Sequence, residues 1–300
     1  MSEFNSEPID IIVPWVNPND PVWRKDFEYW KQKETGQKDA CRFRDMGVFN
    51  YWFRCIEKNM PWVRYVFLVL ASPSQIPSWL NVNHPKLKIV YHEQFIPKEE
   101  LPTFNSSVIN CYMPFIEELS DNYILFNDDF FVVKPVYENE FFVNNRPCIR
   151  GHLMSMIPRG NTPWYNNIGN NFNYMNKLFG KQQHLYPDHG PIAFIKNLQL
   201  FIWNKMENEF TNALNNSRFR KNKNITDWIF LDAQHLTKKI NNNSKSIVQY
   251  INKPNFHFNN KIICLNDNER LSQDQYNQFK IQVKNELNKI LKNKSNFENE

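Results

Sequence analysis

Residues 122–133 read NYILFNDDFFVV, an apolar run interrupted by the polar triplet Asn127-Asp128-Asp129. The run predicts a buried β-strand that ends in acidic residues. In open α/β sheets, ligands bind beyond the carboxyl ends of the strands, and two adjacent carboxylates there suit a divalent cation. A solvated turn or a helix cap uses the same residue types, so this alternative stays open.

Apolar patterning on either side of this stretch extends the α/β prediction. Further buried strands are predicted at 9–16, 63–71 and 87–91, and helices at 22–33, 45–59 and 103–119. Strands that alternate with helices predict an α/β domain with a mainly parallel sheet.

The C-terminal half has a different character. Residues 159–180 are rich in Asn and have weak periodicity, which predicts a long loop, whereas 190–240 and 271–291 return to helical spacing. The predicted organisation is a disordered leader, one α/β domain with a variable loop or cap, a C-terminal helix and a disordered tail. The leader spans 1–8 and the domain spans 9–268, with the loop or cap at 150–188. The C-terminal helix spans 269–292 and the tail spans 293–300.

Composition narrows the ways in which this chain could bind phosphate. Only seven glycines occur among 300 residues, and neither G-x-x-x-x-G-K-[ST] nor G-x-G-x-x-G is present. Phosphate would therefore be bound by Arg, Lys, a helix N-terminus or a metal ion.

Cysteine usage and hydropathy predict a cytoplasmic protein. The five cysteines form no C-x-x-C pair, which argues against a disulfide scaffold or a zinc ribbon and favours a reducing compartment. No signal peptide is recognisable, and the longest apolar run, 65–71, is too short to span a bilayer.

The net charge of +5 is concentrated, with nine Lys/Arg against two Asp/Glu over 211–261. This bias fits a phosphate-rich substrate, an anionic membrane face or an ordinary solvated surface.

Three polar segments outside the first acidic turn carry candidate chemistry. His189 lies in a polar turn, and imidazole is the usual base for a hydroxyl near neutral pH. Arg218-Phe219-Arg220 could clamp phosphate, and Asn266-Asp267-Asn268 repeats the acidic-turn pattern. Each segment also has an ordinary structural explanation: a loop for His189, a helix surface for the two arginines and a turn for the Asn-Asp-Asn triplet.

Taken together, these segments resemble the four blocks of the Stealth family. The family includes bacterial capsular polysaccharide phosphotransferases and the animal lysosomal-enzyme N-acetylglucosamine-1-phosphotransferase. The second block is the most specific: it begins with RFRDMGVFNYWFRCIEKNMPWVRYVFLV (42–69) and continues through 77–94, 101–109 and 124–136. The other blocks correspond to 9–17 with Asp20-Pro21, to His189-x-Pro191 with 217–220 and Asp227, and to 263–268. Pro14 departs from the family, which usually has Tyr-Thr before the Trp of the first block.

The resemblance implies an α/β fold with a Rossmann-like nucleotide-sugar transferase core, a mainly parallel sheet and a helical C-terminal part. It implies transfer of hexose- or N-acetylhexosamine-1-phosphate from a UDP-sugar to a hydroxyl of an oligo- or polysaccharide acceptor in capsule or surface polysaccharide synthesis. The acceptor hydroxyl would attack the β-phosphorus, the nucleoside monophosphate would leave, and a phosphodiester would form. Peripheral contact with the inner face of the cytoplasmic membrane and with other capsule-synthesis proteins is expected, and nucleic acid is not an expected partner.

The same resemblance implies a set of site residues. Catalytic roles are expected for His189 as general base, Arg220, Asp129 and Asp227. An Mg²⁺ or Mn²⁺ ion would be held by Asp128, Asp129 and Asp267. Substrate binding is expected for Asp10, Trp15, Arg42, Arg44, Asp45, Arg54, Asn105 and Asn266. A structural role remains the alternative for Asp10, Arg42, Asp45 and Asp227.

Two other functions compete with phosphosugar transfer. A metal-dependent glycosyltransferase would use Asp128-Asp129 as its metal motif, attack carbon and release UDP. A carbohydrate-binding protein would use the 46 aromatic residues as stacking surfaces. Such a module would not need His189, Arg220 and the acidic turns to converge.

Overall fold

A computed structural model describes residues 7–38, 43–242, 245–266 and 271–299. In these ranges the strands, in chain order, are β1 (Ile9–Pro14), β2 (Val66–Leu70), β3 (Leu87–Tyr91), β4 (Asn122–Leu125), β5 (Phe130–Val132), β6 (Phe142–Val143), β7 (Arg146–Ile149), β8 (Gly151–Met154), β9 (His184–Pro187), β10 (Ile192–Ile195), β11 (Asn241–Asn242), β12 (Val248–Ile251) and β13 (Ile262–Leu265). The α-helices are α1 (Pro21–Lys33), α2 (Phe49–Asn59), α3 (Ser106–Tyr112), α4 (Pro163–Phe179), α5 (Lys196–Lys205), α6 (Glu207–Leu214), α7 (Trp228–Leu236) and α8 (Gln273–Ile290).

The central sheet has the order β10-β4-β1-β2-β3. Strand β1 pairs in parallel with β2 and β4, β2 pairs in parallel with β3, and only β10 is antiparallel to its neighbour. The chain therefore winds outward from β1 in both directions, and the order reverses between β1 and β4. Ligands of open α/β sheets bind at such a reversal, beyond the carboxyl ends. The prediction of an α/β fold with a mainly parallel sheet is confirmed.

The acidic stretch forms two strands where the sequence predicted one over 122–133. Strand β4 belongs to the central sheet, whereas β5 belongs to a second sheet of order β12-β13-β5. A turn closed by the bond from Phe130 N to Asn127 O, 3.2 Å, carries the chain from one sheet to the other. The acidic pair therefore lies where the two sheets meet.

The central sheet is buried on both faces, as its apolar strands require. Ile11 and Val13 of β1 point into one core, which also contains side chains of α2, β5, β13 and α8. Ile12 points into the other core, which is formed with α3, α5, α6 and α7. In the described part of the chain, no helix is long and apolar enough to cross a membrane.

Residues 159–180 differ from the predicted long loop because most of them form α4. Strand β8 precedes this helix in sequence, β9 follows it, and the two strands pair antiparallel. The segment predicted as a loop or cap at 150–188 is therefore mostly regular secondary structure. Ile168 and Phe172 of α4 pack against Trp228. Asn171 on the same face is fully buried and exchanges hydrogen bonds with Thr226. A polar residue on the buried face weakens the helical periodicity in the sequence.

The tail was predicted to be disordered over 293–300 from its Asn/Lys-rich composition, but its described residues 293–299 pack against the domain. Phe297 is 2% exposed and packs against Phe53, with ring centroids 5.1 Å apart. Glu298 forms a two-pronged ion pair with Arg54, with both N–O distances 2.7 Å. One aromatic anchor and one buried ion pair are enough to order a polar segment. The predicted disordered leader at 1–8 lies mostly outside the described residues.

We predict that Glu298→Ala destabilises the fold without altering the pocket. The change leaves the buried Arg54 guanidinium without its carboxylate, which costs about 3 kcal/mol of unfolding free energy. Urea denaturation measures this loss. Glu286→Ala, which breaks an exposed pair with Lys289, is the control and should cost less than about 1 kcal/mol. Equal losses in the two variants would contradict the importance of the buried pair.

Candidate active site

A pocket of about 840 Å³ opens at the carboxyl ends of the central strands. Its wall includes Trp15 after β1, Ala71 after β2, His92 after β3 and Asp128 after β4. The pocket thus lies where the strand order predicts a ligand. Nine residues expected from the sequence line it: Trp15, Arg44, Asp45, Asp128, Asp129, His189, Arg220, Asp227 and Asn266.

Asp10 and Arg54 lie away from the pocket. Asp10 is near the amino end of β1, about 16 Å along the strand from Trp15 at 3.3 Å per residue. It is fully buried and accepts bonds from Arg64 and from the backbone amides of Tyr65 and Ser120. Arg54 is occupied by Glu298 and by the carbonyl of Leu291. Both hold the fold together, so the expected donor contacts are corrected.

Asn105 supports the site from behind the pocket wall. Its amide donates to Ser217 O at 2.9 Å and to Asn224 Oδ1 at 3.0 Å, while its oxygen caps α3 by accepting from Ser107 N. Asn105 is 1% exposed, so it positions the loop that carries Arg220 and does not reach a donor. Arg42 and Asp267 lie outside the described residues.

The two carboxylates of the acidic turn have raised pKa values. Asp128 exposes its surface into the pocket, where removal from bulk water raises its pKa to about 8, and the charges of Asp129 and Asp45 add to this rise. Burial raises the pKa of Asp129 to about 6, although the Cys264 thiol partly opposes the rise by donating to Oδ2. Carboxylates that resist ionisation in this way favour a positively charged partner.

Asp129, His189 and Cys264 come together although they are distant in sequence. One ligand atom from each lies within 4.8 Å of the other two. The backbone bond from Leu265 N to Asp129 O, 2.9 Å, fixes the end of β13 against the acidic turn. Burial lowers the pKa of His189, so its imidazole is neutral at pH 7 and able to accept a proton.

Arg220 and Asp227 also line the pocket. Arg220 donates to Ser106 Oγ at 2.8 Å, and its guanidinium carbon lies 5.5 Å from the ring centre of Trp164. Burial raises the pKa of Asp227, while a 3.2 Å bond from Asn110 to its Oδ1 opposes that rise. The guanidinium is thus held by a hydroxyl and an aromatic ring.

Aromatic side chains line two sides of the pocket. On one side Trp15 stacks on Phe49, with centroids 5.1 Å apart and planes 3° from parallel. On the other side Trp228 meets Trp164 and Tyr186 edge-on, at 4.8 and 5.4 Å. Such surfaces bind the flat faces of bases and sugar rings.

Sequence reasoning assigned no role to Cys264, Ser106, Trp164 or Tyr250. Cys264 was one of five scattered cysteines and lay in the block at 263–268 without an assigned role, and Trp164 was in the segment predicted as a loop. Tyr250 contacts His189, with ring centroids 5.3 Å apart. These contacts depend on how β12 and β13 add to β5 and on how α4 packs against α7, which local patterns do not encode.

The carboxyl edge of this mainly parallel α/β sheet gathers carboxylates, an imidazole and a guanidinium in one pocket, an arrangement typical of enzyme active sites. The family model for conserved region 2 of Stealth proteins matches residues 42–149. The chain is 32% identical to the capsular polysaccharide phosphotransferase WcwK of Streptococcus pneumoniae over 343 aligned positions, which cover 98% of this chain and 99% of the relative. It is 29% identical to the exopolysaccharide phosphotransferase cps2G of Lactiplantibacillus plantarum, with 98% of each chain covered.

The chain belongs to the Stealth family and is a transferase, which confirms the resemblance seen in the sequence. Among solved structures, the galactosyltransferase LgtC in complex with donor and acceptor sugar analogs aligns with a TM-score of 0.48 at 9% identity. That alignment covers 94% of this chain and 96% of LgtC.

Proposed function

We propose that this chain transfers a sugar-1-phosphate from a UDP-sugar to a hydroxyl of a polysaccharide acceptor, in the synthesis of capsule or a related surface polysaccharide. One observation carries the proposal: Asp129, His189, Arg220 and Asp227 line a single pocket at the carboxyl edge of the sheet. The relatives named as capsular and exopolysaccharide phosphotransferases support the same chemistry.

His189 would act as the general base. Its neutral imidazole takes the proton of the acceptor hydroxyl as the oxygen attacks the β-phosphorus of the donor. The bond from that phosphorus to the bridging oxygen breaks, and UMP leaves with the electron pair. Because the anomeric carbon–oxygen bond is untouched, the sugar keeps its configuration in the phosphodiester product.

Arg220 would stabilise the negative charge on the transferring phosphoryl group. Its contacts with Ser106 and Trp164 hold the guanidinium in place before the reaction, and electrostatic preorganisation of this kind supplies most of phosphoryl-transfer catalysis. Asp227, just before α7, lines the same pocket and interacts electrostatically with Arg220, so it would help to orient the guanidinium.

The acidic turn fits a divalent cation. Asp129 Oδ1 has no hydrogen-bond partner among the described residues, and Asp128 and Asn266 add oxygen donors to the same wall. Oxygen donors of this kind suit Mg²⁺ or Mn²⁺. Such an ion would supply positive charge to the pyrophosphate and to the departing UMP.

The two aromatic sides of the pocket would receive the two substrates. The stacked pair of Trp15 and Phe49 adjoins the reversal between β1 and β4, where nucleotides bind in doubly wound folds. The group formed by Trp164, Tyr186 and Trp228 would then bind the acceptor sugar, beside Arg220.

The test is the identity of the released nucleotide. The purified protein is incubated with UDP-sugars, an oligosaccharide acceptor and Mg²⁺, and the products are separated by ion-exchange chromatography. We expect UMP, with Asp26→Asn and His257→Ala as active controls because both residues are exposed and lie outside the pocket. Release of UDP would show glycosyl transfer and overturn the proposed chemistry.

We predict that Trp164→Ala weakens acceptor binding more than donor binding. Loss of one stacking surface costs about 1–3 kcal/mol, which corresponds to a rise of about 5- to 150-fold in the acceptor KM. Steady-state kinetics with each substrate varied in turn measures the difference. Tyr165→Ala, one residue along α4 and 47% exposed, is the matched control. An unchanged acceptor KM would place the acceptor elsewhere.

A further inference from the structure

The ligand atoms of Asp129, His189 and Cys264 are, as a set, of different types from those that bind a hard cation. A carboxylate, an imidazole and a thiol supply oxygen, nitrogen and sulfur, with ligand atoms within 4.8 Å of one another. Mg²⁺ binds oxygen almost exclusively, whereas Zn²⁺ binds all three donor types.

The distance between the thiol and the carboxylate already fits a tetrahedral ion. Cys264 Sγ lies 3.4 Å from Asp129 Oδ2. With metal–sulfur and metal–oxygen bonds of about 2.3 and 2.0 Å, a tetrahedral centre separates these two ligands by about 3.5 Å. Little movement of either side chain is therefore needed.

The position of the group leaves one coordination site open. Asp129 and His189 line the pocket, while Cys264 is fully buried beneath them on β13. An ion could enter from the pocket, bind all three side chains and keep its fourth position facing the pocket. Three protein ligands with one open position differ from a closed structural zinc site, because the open position can bind water or another small ligand.

We propose that Asp129, His189 and Cys264 form a site for a thiophilic divalent ion, Zn²⁺ in the first instance, which blocks transfer when it is filled. On binding, the S–H bond of Cys264 breaks, a sulfur–metal bond forms and one proton passes to solvent. The ion also takes the lone pair of His189, which then cannot accept the acceptor's proton. The inhibition of transfer rests on the proposed function. Metal binding rests on the geometry of the three side chains alone, and it is measured without substrates.

Cobalt substitution tests the site directly. Co²⁺ is added to the full-length, reduced protein, and the sulfur-to-cobalt charge-transfer absorbance is followed in the near ultraviolet. We expect one Co²⁺ per chain and displacement by Zn²⁺. Cys264→Ser should abolish the band, whereas Cys148→Ser, which alters a buried thiol outside the pocket, should retain it.

Cys264→Ser could lose the band because the variant misfolds, so His189→Gln provides a second test. The His189 side chain is only half-buried, and its replacement is therefore less disruptive to the fold. It should weaken Zn²⁺ binding by about 100-fold or more, since even indirect support of a metal ligand is worth 10- to 100-fold. The proposal is overturned if the wild-type protein shows no charge-transfer band, if Cys264→Ser keeps it, or if His189→Gln leaves the affinity unchanged.

Discussion

Asp129→Asn is expected to lower transfer activity by about 10²- to 10³-fold while making the substrate-free protein more stable at alkaline pH. The loss of activity follows because the amide carries no negative charge and cannot hold a cation beside the phosphates. The gain in stability follows because the folded state binds the proton of Asp129 more tightly than the unfolded chain does.

The pH range of that stability difference is set by the two pKa values. Below the ordinary Asp pKa of about 4, both states are protonated, so Asp129→Asn has little effect on stability. As pH rises toward about 6, the unfolded chain loses its proton first, so the wild-type protein becomes less stable. Asp128 shifts stability in the same direction, because the charge of Asp129 contributes to its raised pKa.

Thermal melts at several pH values, without added metal, measure the effect. The midpoint of Asp129→Asn should match that of the wild-type protein at pH 4 and exceed it by a few degrees at pH 8. Asp26→Asn, an exposed change on α1, should follow the wild-type protein throughout. A variant that is less stable than the wild-type protein at pH 8 would show that the carboxylate is satisfied by the protein alone.

His189→Ala is expected to reduce kcat by about 10²- to 10⁴-fold, the usual contribution of a positioned general base. In the wild-type protein the rate should fall as pH drops through the pKa of His189, which burial holds below its ordinary value. Activity should therefore be level near pH 7 and above. In the variant the rate should continue to rise with pH, because deprotonation of the acceptor then depends on hydroxide.

Rate profiles between pH 5 and pH 9 distinguish a base from a residue that only shapes the pocket. Added imidazole should restore part of the activity of His189→Ala, because the cavity left by the side chain opens into the pocket. His257→Ala provides the control, since His257 is exposed and away from the site. A variant with reduced activity but an unchanged pH profile would assign the proton transfer to another group.

Local patterns in the sequence predicted the central sheet well, because buried parallel strands are continuous apolar runs. Residues 87–91 were predicted as a strand with the bounds of β3, and the acidic turn was placed at a strand end. The same reasoning joined β4 and β5 into one strand, because periodicity does not show that Asn127–Asp129 turns the chain into another sheet.

For the site, the residue types were predictable but their long-range partners were not. His189, Arg220 and Asp129 were selected for their chemistry and line one pocket. Asp10 and Arg54 were selected for the same reason, yet Arg64 and Glu298 occupy them. A charged side chain that binds a distant partner looks the same in sequence as one that binds a ligand.

The joint between the two sheets also determines when during synthesis the site becomes complete. Asp129 contacts Cys264 across 135 residues, and β13 must add to β5 before the acidic turn acquires that neighbour. A chain translated only as far as α7 therefore contains His189 and Arg220 but lacks β13, which borders the acidic turn. The part of the pocket wall that Leu265 and Asn266 provide therefore forms only after β13 has been translated and has paired with β5.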